Sequence, residues 1–218
     1  MQQRRVFSPA RLFGLVASAL LLTLQVATAH AMKIQEVKSP NGIEAWLVEE
    51  HSVPIIAMNF AFKGGSAQDP AGKEGVAHFL TTILDEGAGD LPAERFHELM
   101  EELAIKMRFD AGQDHFTGSF ETLTVNRDAG FDLLRLALTK PRFDAEAVER
   151  MRTQMTASLA FADKEPSKVA GRAWAKAAFG DHPYGRASDG TNESLAAIGR
   201  DDLVRYKGNV FARDTLKI

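Results

Sequence analysis

Gly75-Val76-Ala77-His78-Phe79-Leu80-Thr81-Thr82-Ile83-Leu84-Asp85-Glu86-Gly87 is the stretch around which the chain is organised. Val76, Phe79, Leu80, Ile83 and Leu84 recur at helical spacing and Gly87 stops the pattern, which predicts a helix with one buried face. On that reading His78, Thr81, Thr82 and Asp85 share a second face, the one available for chemistry.

Outward from this helix, the composition is that of a globular chain: 218 residues, 45% hydrophobic and 25% charged, enough for one or two domains. There is no cysteine, which excludes disulfides, a thiol nucleophile and cysteine-based metal sites. Residues 1–31 carry Arg4, Arg5 and Arg11, then an apolar run from Leu12 to Val26, then Ala27-Thr28-Ala29-His30-Ala31. This predicts a secretory signal peptide cleaved after Ala29 or Ala31, and so a periplasmic or secreted location. The alternative, a retained anchor, is disfavoured because a run of about 15 residues falls short of the roughly 20 needed to span a bilayer. Cleavage leaves 23 of the 26 basic residues against 29 acidic ones, a formal net charge of −6. That balance, with no basic run or stripe, argues against nucleic-acid binding.

Before the helix, Ile43–Glu50 and Pro54–Phe62 read as strands, and Gly64–Gly75 as a polar linker. After it, Leu91–Leu103 reads as a helix with the apolar stripe Phe96, Leu99, Met100, Leu103. His97 with Glu98, Glu101 and Glu102 is read as a solvated acidic face rather than a metal cluster. Ile105–Asp110 and Phe116–Val125 are expected strands, the latter alternating Phe116, Gly118, Phe120, Thr122, Thr124 against Thr117, Ser119, Glu121, Leu123, Val125. Further helices are expected from Ala129 to Leu138, from an Asp144 N-cap to Ala162, from a Ser167 N-cap to Phe179, and from Arg200 to Lys207. The stretch 180–191 between the last two reads as an irregular loop.

His78-Phe79-Leu80-Thr81-Thr82 resembles the inverted zinc-peptidase signature H-x-x-E-H of the insulinase/pitrilysin family. Pro141-Arg142-Phe143, Phe179 to Gly185, Gly190-Thr191 and Arg213 to Leu216 resemble that family's later landmarks in the same order, so the likeness extends over residues 33–218. It implies an α+β fold, a mostly antiparallel sheet with helices packed on one face. In such sites two histidines one turn apart and a later glutamate hold zinc, and the glutamate beside the second histidine takes the proton of the bound water. The resemblance places Thr81 at the base position and Thr82 at the second ligand. Counting back from Pro166, it places Ser158 at the third ligand, 76 residues beyond Thr82.

A threonine or serine hydroxyl has no useful basicity near neutral pH and lies outside the usual histidine, cysteine and carboxylate ligands of zinc. Only His78 of the four positions keeps its chemistry, so the expectation is no catalytic residue and no cofactor on this chain. The resemblance implies a non-catalytic subunit, or its N-terminal half, whose homologous active partner carries the zinc and cuts a peptide substrate both enclose. The resemblance also implies a second similar half beyond residues 32–218, because the family continues into a strand where this chain stops at Leu216-Lys217-Ile218. Two alternatives stand beside this: a periplasmic module gripping extended peptides along a sheet edge, and an enzyme using His78 with Asp85 or Glu86.

Overall fold

A computed structural model of the chain describes residues 33–218; the predicted signal peptide, its cleavage sites and the alternative anchor lie outside the described residues. From Gln35 to Ile218 the chain forms one unit. Its centre is three antiparallel strands in the order β3 (Ile55–Lys63), β7 (His115–Leu123), β6 (Lys106–Ala111). Registers are Phe62 opposite Phe116, Phe60 opposite Gly118, and both Met58 and Met107 opposite Phe120. Because side chains alternate along a strand, all these residues fall on one face, and that face is the core. The alternation read from Phe116 to Leu123 is reproduced: Phe116, Gly118, Phe120 and Thr122 are buried, and their neighbours are not. The strand ends at Leu123 rather than Val125 because Thr124–Asn126 closes into a 3-10 turn.

Gly118 is the small residue this face requires. A Cβ there would lie 2.2 Å from Cζ of Phe60. Phe60 itself is boxed in by Phe62 at 6.0 Å and Phe109 at 6.4 Å between ring centroids, both edge-on. Gly118→Ala is therefore expected to destabilise the fold by about 1–3 kcal/mol through overpacking, read as a lower urea midpoint.

Helices cover this face. The helix expected over the opening stretch is α1, Val76–Thr81, buried through Val76, Ala77, Phe79 and Leu80 and packed on β6. It is shorter than predicted. The hydroxyls of Thr81 and Thr82 donate to the carbonyls three residues back, of His78 at 2.7 Å and Phe79 at 2.9 Å. Backbone bonds from Thr82, Ile83 and Glu86 also reach back three residues, so the chain tightens into 3-10 geometry instead of continuing. β4 (Gly87–Ala88) then pairs with β5 (Leu91–Pro92) before α2 (Ala93–Glu102).

α3 (Arg127–Thr139) and α4 (Ala145–Ala162) follow, the latter starting after Asp144 as expected, though the Asp144 carboxylate accepts from Arg142 instead of capping a helix N–H, and buried through Val148, Met151, Met155 and Leu159. α5 (Pro166–Phe179) starts at a Glu165 cap with Pro166 in its first turn, not at Ser167, because proline's fixed φ suits that position. Two elements lie where the sequence suggested none: α6 (Asn192–Ala197), held by a Thr191–Ser194 capping box directly after the expected irregular loop, and strand β1 (Ile34–Lys38). The chain then forms α7 (Arg200–Val210). β1 pairs with β2 (Glu44–Val48), and Lys217 bridges β2 to β3, exchanging both backbone bonds with Ala61 at 2.9 Å.

Candidate functional site

Asp69, one of five buried polar residues among those described, sets the start of α1. Its carboxylate accepts from the N–H of Gly75 at 2.7 Å and of Ala77 at 3.1 Å, satisfying donors that a helix start leaves open. Gly75 adopts φ +93, and a Cβ on it would come within 2.9 Å of Gly190, so the approach to His78 needs glycine. Burial pushes the Asp69 pKa up to about 7 against the opposing pull of the two N–H bonds.

A raised carboxyl pKa means the native state binds a proton more readily than the unfolded chain. The associated stability is full below about pH 4 and lost as pH rises through about 7. Denaturant unfolding is expected to show parent stability falling relative to Asp69→Asn between pH 5 and pH 8, on the order of a kcal/mol or more.

Across from α1, α4 presents a facing row. His78 and Thr82 from α1 and its end, and Met151, Gln154, Met155, Ser158 and Leu159 from α4, line one cavity of about 330 Å³. Lys168 of α5 and Asp189 of the following loop complete its wall. The three positions assigned from sequence as zinc-ligand positions, His78, Thr82 and Ser158, are thus brought together across 76 residues of chain. Thr81, at the base position, is half-buried and does not line the cavity.

Asp85 is not brought to His78. It lies beyond the end of α1, outside the cavity lining, and burial raises its pKa. Glu86 is buried and paired to Arg150 of α4. The expectation that His78 and Asp85 share one helical face fails because the helix ends at Thr81, and with it goes the geometric basis for an enzyme built on that pair.

The donor set in the cavity does not suit zinc. The Thr82 hydroxyl gives its proton to the Phe79 carbonyl and the Ser158 hydroxyl gives its proton to the Gln154 carbonyl at 3.1 Å, each within its own segment. Beside them stands Met155, its Sδ 3.9 Å from Thr82 Oγ1, a soft thioether that adds no hard ligand to the set. Among the described residues no group of three His, Cys, Asp or Glu side chains is placed to hold a metal ion. A larger groove of about 920 Å³, lined by Trp46, Asn59, Arg108, Ser119 and Lys217 among others, shares no lining residue with the cavity.

The sequence profile of the insulinase family (peptidase family M16) matches residues 46–192. The chain belongs to this family. Its membership accounts for the α+β layout. A relative called a non-peptidase homolog, YmxG of Helicobacter pylori, is 28% identical over 199 residues, covering 91% of this chain and 45% of its own length. An uncharacterized zinc protease of Mycobacterium leprae is 27% identical over 75% of this chain and 37% of its own. Among solved structures, a peptidase M16 inactive domain from Pseudomonas fluorescens superposes with a TM-score of 0.80 at 26% identity, over 85% of this chain and 45% of that one. Pitrilysin shares the fold, with a TM-score of 0.72 at 20% identity, over 87% of this chain and 21% of its own. The chain spans less than half the length of these insulinase-family relatives.

Proposed function

We propose that this chain is a non-catalytic, peptide-holding half of a secreted or periplasmic insulinase-type endopeptidase assembly, in which a homologous partner chain carries the zinc and cuts the peptide. The observation that carries the reading is the cavity where His78 meets Thr82 and Ser158, the two hydroxyls engaged with their own backbone. A neutral hydroxyl fills a former ligand position without leaving a buried charge unpaired, so the scaffold survives the loss of the metal. The names of two relatives, a non-peptidase homolog and an inactive domain, agree with this reading.

A second reading, a peptide-gripping module with no peptidase partner, draws support from β6. That strand is the outer member of the central three, with β7 on one side, and among the described residues no strand pairs with its other edge, which an extended peptide could take up.

The test is zinc content and peptide hydrolysis of the chain without residues 1–31, alone and mixed with a homologue bearing an intact H-x-x-E-H. The expected result is no retained zinc and no cleavage alone, with raised cleavage by the homologue in the mixture. One zinc per chain with cleavage by this chain alone would overturn the proposal. Absence of any effect on the homologue would favour the second reading.

A further inference from the structure

The cavity at His78 does not end at α4. Lys168 and Asp189 line both it and an adjoining groove of about 460 Å³ that runs along α5 to Tyr184 and Arg186. This groove is cationic in a chain whose charge without residues 1–31 is −6. Lys168, Arg172 and Lys176 line it from α5 and Arg186 from the following loop, against Asp189 as the one lining carboxylate.

Three of these cations stand at every fourth position of one helix, about 6 Å apart along its axis. Alternate side chains of an extended peptide stand about 6.8 Å apart, nearly the same repeat. Between the cations lies Gly171, with no atom within 4 Å of where a Cβ would be, which leaves the helix surface open to a chain laid along it. The pairs that hold two of the cations, Arg172 with Asp163 and Lys176 with Asp181, are exposed, and the Asp181 side chain is fully so. Pairs of this kind are worth little in water and yield to an incoming carboxylate. Tyr184 at the far end is tied to Asp114 at 2.6 Å, which fixes that wall.

We propose that this groove binds an extended peptide with acidic side chains at alternate positions and leads it toward the His78 cavity. The inference deepens the peptide-holding reading above by naming the class of peptide, and it rests on that reading.

The test is fluorescence anisotropy on the chain without residues 1–31 with three labelled peptides: one alternating Glu and Thr, one with Gln for every Glu, and one of the first composition with its Glu residues contiguous. The alternating peptide is expected to bind about tenfold tighter than the Gln peptide at low salt, to exceed the contiguous one, and to weaken as salt rises. Lys168→Gln, Arg172→Gln and Lys176→Gln combined should remove this preference, and Gly171→Leu should block the groove for all three peptides. Circular dichroism melts establish that both variants fold.

Equal binding of the Glu and Gln peptides, or an unchanged preference in the triple variant, overturns the proposal. Equal binding of the alternating and contiguous peptides overturns the register argument and with it the extended ligand. No homologue takes part in this assay, so its failure is separable from failure of the partner-activity test.

Discussion

Thr82→His combined with Ser158→Glu is expected to make the chain retain one zinc ion per molecule through gel filtration, and the parent is expected to retain none. His78 and Thr82 stand four residues apart at the end of α1, the spacing at which two imidazoles meet one ion. Ser158 on α4 lines the same cavity, is exposed, and makes only a bond to the carbonyl one turn back. Its replacement by a longer carboxylate therefore disturbs no buried partner. The cavity of about 330 Å³ holds both added side chains without overpacking. Neither single variant reaches three protein ligands, so neither is expected to retain the metal. Metal analysis of the eluted protein decides the matter: a double variant that elutes without zinc would mean that α1 and α4 are set too far apart and that Ser158 is not the third position.

Phe79→Ala is expected to lower the unfolding free energy by about 3–5 kcal/mol, the largest stability loss at the site helix. Phe79 is fully buried next to His78, and its ring lies 5.7 Å from the guanidinium carbon of Arg152 on α4. Truncation leaves a void between α1 and α4 and removes the aromatic face from a largely buried cation. Arg152 also donates to the Leu195 carbonyl of α6, so loosening it reaches the loop that approaches Gly75. Urea unfolding of parent and variant measures the loss. A change below about 1 kcal/mol would show that the helices are not held together through this ring.

Much of this was legible in residue patterns. The alternation along β7 and the stripe of α2 follow from periods of two and 3.6, which a residue's polarity reports directly. The early end of α1 was not, because it comes from two adjacent threonines turning their hydroxyls onto carbonyls three back, while the apolar spacing through Ile83 and Leu84 still reads as helix. Both of those residues are buried in the 3-10 turns, so the pattern records burial and not helix. β1 went unread because its residues are mostly exposed and carry little hydrophobic alternation. Asp69 had no signal of its own in a polar linker; only the closing of that linker over the start of α1 makes it a buried cap.

The sequence by itself determined what chemistry three positions of the signature lack. Whether a side chain can take up a proton or bind zinc is a property of its own atoms, and Thr81, Thr82 and Ser158 carry that property wherever the fold puts them. The tertiary structure decided that His78, Thr82 and Ser158 meet, that Asp85 stays out of their cavity and Glu86 pairs with Arg150 instead, and that a cationic groove joins the cavity. These are relations between segments far apart in the chain, and they exist only once the apolar faces of α1 and α4 have found a common core.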